Sequence, residues 1–79
     1  MRILDYDTNK SVKDLLILLT PEEVMELIDD LEQLVSQDRS QNHVHLNDSD
    51  FQREITIAIY KPDDFHSFDD RIKQLILEN

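Results

Sequence analysis

Seventy-nine residues, 39% of them hydrophobic and none of them cysteine, suffice for one small domain with a modest core. They leave no disulfide, thiolate metal site or thiol chemistry. Eighteen acidic against eight basic residues give a net charge of −10 with His neutral. A surface of that sign cannot replace phosphate counterions and is repelled by anionic lipid headgroups, so neither nucleic acid nor membrane is expected as a partner. No apolar run approaches the roughly 20 residues that span a bilayer. Met1-Arg2-Ile3-Leu4-Asp5 lacks the apolar centre of a signal peptide, and the expected setting is cytoplasmic.

Taken in chain order, residues 2–6 read as a short strand, followed by a turn at 7–10. Glycine is absent, so a turn that needs positive φ must use Asn or Asp. Asp7-Thr8-Asn9 and Asn47-Asp48-Ser49-Asp50 are the candidates. Residues 12–19 end in the unbroken run Leu15-Leu16-Ile17-Leu18-Leu19, which reads as a central strand buried on both faces. Thr20-Pro21-Glu22-Glu23 is a capping box, with Thr20 as N-cap, Pro21 at the first helical position and Glu23 reaching back. It opens a helix over 21–37 whose core stripe is Val24, Leu27, Ile28, Leu31, Leu34 and Val35.

Alternation at His43-Val44-His45-Leu46 and at Ile55–Tyr60 predicts a hairpin of strands 42–47 and 53–60, with Pro62 stopping the second. Ser67 then caps a helix over 67–78, with Phe68, Ile72, Leu75 and Ile76 on one face. The element order is ββαββα. The expected fold is an α+β single domain over 1–79: a four-stranded, mainly antiparallel sheet with both helices on one face. Val44, Leu46, Ile55, Ile57 and Ile59 would face the helices. His43, His45, Thr56, Ala58 and Tyr60, with two or three aliphatics of the first hairpin, would line an open face.

Functional signals are few. Between Asp14 and Asp38 the chain carries eight acids and no Lys or Arg. The capping box and the helix dipole account for Glu22 and Glu23. Glu26, Asp29, Asp30 and Glu32 have no Lys four residues on to balance them. His43-x-His45 projects two imidazoles from one side of a strand, a spacing that can serve zinc with a third ligand such as Asp48, Asp50, Glu54 or His66. The plainer reading pairs the two rings across the hairpin with Thr56 or Tyr60. His66 and Ser67 have no assignable catalytic partner, Asp63-Asp64 and Asp69-Asp70 lack calcium-loop spacing, and no phosphate loop can be built without glycine. No enzyme and no cofactor is expected.

The stretch from Thr20 to Ile76 resembles small bacterial immunity proteins that neutralise polymorphic or contact-delivered toxins. The likeness rests on the compact acidic chain, the Thr20-Pro21-Glu22-Glu23 helix start, the His43-Val44-His45-Leu46 strand and the Ile55–Ile59 to Phe68–Ile76 ending. It implies binding and blocking of a cognate toxin, often a basic nuclease, by charge complementarity. The leading expectation is a non-enzymatic acidic protein-binding module for a basic partner, of immunity or antitoxin-like type. Its candidate contacts are Glu22, Glu26, Asp29, Asp30 and Glu32 on the helix, with His43, His45 and Tyr60 on the open face. A homo-oligomeric structural domain paired through that face is the alternative, and a metal-binding protein using His43 and His45 the second.

Overall fold

A computed structural model of the chain describes residues 1–36 and 43–78. Gln37 at the end of the expected helix, Asp38 of the acid run and Asn42 at the start of the expected strand lie outside these. The elements are β1 (Leu4–Asp5), β2 (Lys10–Ser11), α1 (Pro21–Val35), β3 (His43–Asn47), β4 (Glu54–Ala58) and α2 (Asp70–Glu78). The chain is therefore α+β in the order ββαββα. The strands, however, form two separate two-stranded antiparallel sheets, β1–β2 and β3–β4, and not the expected four-stranded one. Residues 12–19 are the reason. Val12 still donates its N–H to the Ile3 carbonyl at 2.9 Å at the end of the first hairpin, but none of the described strands pairs with residues 13–19, so no strand carries one sheet into the other.

The chain forms two compact units, one of Met1–Ile17 with Tyr60–Asn79 and one of Leu18–Ile59. In the first, β1 and β2 are joined by a tight turn in which Asn9 takes φ 60° and donates its N–H to the Asp5 carbonyl at 2.8 Å. Asn tolerates this left-handed geometry because its short side chain relieves the Cβ clash. The Asp5 carboxylate accepts the N–H of Asp7 (2.9 Å) and of Thr8 (3.4 Å). Those bonds, the first above all, hold its pKa below the ordinary carboxylate value.

Helix α2 begins three residues later than expected. Asp69, not Ser67, is its cap: the Asp69 carboxylate accepts the N–H of Ile72 at 2.9 Å. Leu75 and Ile76 are buried, as their helical spacing requires, while Leu77 points outward. Arg2 donates from Nε to the Ile76 carbonyl at 3.2 Å, and the Arg71 guanidinium lies 5.1 Å from the centre of the Tyr6 ring. These contacts tie the residues before β1 and in its turn to the last helix.

In the second unit both halves of the capping box are present. Glu23 N–H donates to Thr20 Oγ1 (3.2 Å), and the Glu23 carboxylate accepts the Thr20 N–H (2.9 Å). The helix ends at Ser36, whose hydroxyl donates to the Gln33 carbonyl at 2.9 Å. Strands β3 and β4 pair in the register Val44↔Ile57 and Leu46↔Ile55, placing these four side chains together on one face. Helix α1 packs on β3, and among the described residues of this unit Leu34, Val44 and Leu46 are buried.

Two expectations fail with the missing strand. Of the predicted helix stripe only Leu34 is buried and Leu27 half-buried, while Val24, Ile28, Leu31 and Val35 stay exposed. A two-stranded hairpin is too narrow to cover a six-residue stripe. The second face of β3–β4 carries His43, His45, Asn47, Glu54, Thr56 and Ala58, and β1 and β2 are not strands of this sheet, so the aliphatics expected from them are not part of it. Tyr60 is not on it; it lies beyond the end of β4, in the other unit.

Candidate functional site

Helix α1 meets β3 along the line of Leu27 and Leu34, which are seven residues apart and so share a face. At 3.6 residues per turn, the positions to one side of this line are Glu23, Asp30, Glu26, Gln33, Glu22 and Asp29. The other side carries Leu31, Val24, Val35 and Ile28. The helix thus has an acidic flank and an aliphatic flank, divided by its contact with the hairpin.

The acidic flank faces the end of β3 and the β3–β4 turn across an open groove of about 810 Å³. Glu22, Glu23, Glu26, Asp29, Asp30 and Gln33 line one wall; His45, Asn47, Asp48, Ser49 and Phe51 line the other. No Lys or Arg is among the described residues that line it.

The turn is built around Asp48. Its carboxylate accepts the N–H of Gln52 (2.8 Å) and of Arg53 (3.0 Å), and the Arg53 guanidinium lies 3.2 Å away. The bond from the Arg53 N–H is foremost in holding the Asp48 carboxyl below its ordinary value, with partial desolvation opposing it and the Gln52 N–H and the guanidinium assisting. Asp48 N–H donates to the Arg53 carbonyl at 3.2 Å, and Phe51 N–H to the Asp48 carbonyl at 3.0 Å. This wiring leaves Phe51 at φ 56° and 79% exposed on the lip of the groove. A left-handed conformation costs a residue with a Cβ roughly 1–2 kcal/mol. The expectation that Asn or Asp of 47–50 would take positive φ is corrected here: Phe51 takes it, because Asp48 spends its side chain on the amides that follow.

His45 sits directly across from Thr56, as the plainer reading of the sequence had it. Its Nδ1 lies 3.0 Å from Thr56 Oγ1 and also contacts the Glu54 carboxylate. The His43 ring is 4.9 Å from the His45 ring, edge to face. Among the described residues no group of three His, Cys, Asp or Glu is arranged to hold a metal ion. His66, in the other unit, stacks beside Phe65.

Of the residues named from sequence, Glu22, Glu26, Asp29, Asp30 and His45 come together around the groove. Glu32 projects from the helix face opposite the hairpin contact, His43 lies farther along β3, and Tyr60 belongs to the other unit. Sequence reasoning named Asp48 only as a turn residue and a possible third metal ligand, and it missed Phe51. The Asn47–Asp50 turn signal pointed to the right loop, but nothing in it singled out a phenylalanine. Among the described residues no helix is long and apolar enough to cross a membrane. Compared with family models, curated proteins and solved structures, the chain matches none.

Proposed function

We propose that this chain is a non-enzymatic acidic protein-binding module, in concrete form an immunity- or antitoxin-like inhibitor of a basic protein. One observation carries the reading: five acids of α1 and Asp48 line a single groove, and of these six only Asp48 is paired with a described Lys or Arg, its partner being Arg53. An Arg or Lys side chain placed about 4 Å from one such carboxylate gains between about 1 and 4 kcal/mol, according to its exposure to water. Several acids in one groove also steer a basic partner before contact. Val24, Ile28, Leu31 and Val35 on the other flank of α1, with the Phe51 ring, supply apolar area of the kind interface centres use.

The test begins with a partner captured at low salt and followed by surface plasmon resonance. The on-rate falls at least tenfold as salt is raised well past the point where screening acts over about 8 Å. Combined Glu26→Gln, Asp29→Asn and Asp30→Asn substitutions slow association at low salt, while Glu32→Gln, outside the groove, leaves it unchanged. Binding that is indifferent to salt sinks the electrostatic reading.

A further inference from the structure

The run Leu15–Leu19 is not the buried strand its composition predicts, yet it behaves locally as one. From Asp14 to Thr20 the chain runs without helix, turn or bend. Exposure alternates along it: Leu15 54%, Leu16 79%, Ile17 47% and Leu18 84%, with Leu19 half-buried. That period of two is the alternation of an extended strand, with one face less exposed than the other and residues 15–18 exposed on both. Within the described residues no backbone N–H or C=O from Lys13 to Leu19 makes a hydrogen bond. Five consecutive aliphatic residues with a free ladder are a pairing edge that proteins normally cover.

We infer that residues 15–19 pair antiparallel with the same residues of a second copy, forming a two-fold dimer about Ile17. The run reads the same in both directions, Leu-Leu-Ile-Leu-Leu. An antiparallel pair centred on Ile17 therefore matches Leu16 with the second copy's Leu18 and Leu15 with its Leu19. The interface is self-complementary, as a closed two-fold requires. Charge favours the same direction. In this register Lys13 falls opposite the second copy's Pro21, next to Glu22, and Asp14 opposite Thr20, whereas a parallel pair would stack Lys13 on Lys13 and Asp14 on Asp14. The ladder has fixed ends: Pro21 has no N–H to donate, and the Thr20 N–H is already taken by Glu23.

Five paired residues bury less than the roughly 1,200 Å² of a standard interface, so the dimer is weak and concentration-dependent. Each copy carries −10, so association strengthens with salt. This is opposite to the salt response of the basic-partner groove, and the two readings fail separately.

Sedimentation velocity on the full chain, across concentration and at low and high salt, tests the proposal together with amide exchange. A monomer–dimer equilibrium that tightens with salt, with protection rising at 16–18 as dimer accumulates, is the expected result. Leu16 and Leu18 are the most exposed of the run, so substitutions there leave folding intact. Leu16→Lys with Leu18→Lys places like charges opposite each other twice. Leu16→Lys with Leu18→Glu places opposite charges there, and dimerises about tenfold more tightly than the first pair. A chain that stays monomeric in high salt overturns the inference. So does equal association of the two double variants, or a dimer with no protection at 16–18; protection that appears only on adding a different protein does the same.

Discussion

Phe51 offers the sharpest test of how the β3–β4 turn is held. Its φ of 56° is imposed by bonds to Asp48, and 79% of the residue is exposed. Replacing it with Asn removes most of a roughly 1–2 kcal/mol left-handed penalty, because Asn visits that region readily. The loss is small: full burial of a Phe side chain is worth about 1.5–3 kcal/mol, and only about a fifth of this residue is covered. Phe51→Asn should therefore stabilise the chain by about 0.5–1 kcal/mol, raising the urea midpoint by roughly 0.5–1 M at a slope near 1 kcal/mol/M. Phe51→Gly gains the same relief but loses about 0.5–1 kcal/mol to the freer unfolded chain, and comes out near neutral. Phe51→Ala keeps the Cβ clash and loses the contact, so it destabilises slightly. The order Asn, then Gly and wild type, then Ala is the signature. An Asn variant no more stable than wild type, or an Ala variant equal to the Asn variant, refutes the strain assignment.

Leu34→Ala empties a position that is 3% exposed at the helix–hairpin contact, and should cost about 2–5 kcal/mol; loss of helical circular dichroism at room temperature checks it. Thr20→Ala removes the acceptor of the Glu23 N–H, with an expected cost of about 1 kcal/mol by thermal melt; Thr20→Ser should restore most of it. The Asp48 carboxylate form is the one its partners hold, so the turn keeps its full stabilisation above the ordinary value of 3.8 and loses it as pH falls below that, through the lowered folded value. The amide shifts of Gln52 and Arg53 should titrate with a midpoint below 3.8, and Asp48→Asn should abolish that step.

What was legible in the sequence was what local chemistry decides. Thr20, Pro21 and Glu23 determine where α1 begins because each satisfies or removes an orphan N–H within four residues. Which residues of β3 and β4 share a face follows from alternation at His43–Leu46 and Ile55–Ile57, and Asn9 follows from the absence of glycine. What depends on distant partners was not legible. Leu15–Leu19 has the composition of a central strand, but a strand needs a neighbour, and none of the described strands pairs with it. Once that strand is missing, the α1 stripe loses its cover and the second hairpin face loses its aliphatics. The acids of α1 were visible as a run. Their division from the aliphatic flank by Leu27 and Leu34 needed the hairpin in place.

The chain's two units differ in how they use the polypeptide. Leu18–Ile59 is one continuous stretch, whereas the other unit is assembled from segments on either side of it. His45 finds Thr56 across 11 positions; Arg2 finds Ile76 across 74. Closing the longer loop in an open chain costs roughly 1.5–2 kcal/mol more entropy. That difference sets an order of events. The capped helix and its hairpin can form from local encounters alone, and once formed they shorten the path between Arg2 and α2. The interrupted unit should then fold as a second step, and Thr20→Ala or Leu34→Ala should slow formation of the Arg2–Ile76 contact in refolding kinetics, with an unchanged rate refuting that order.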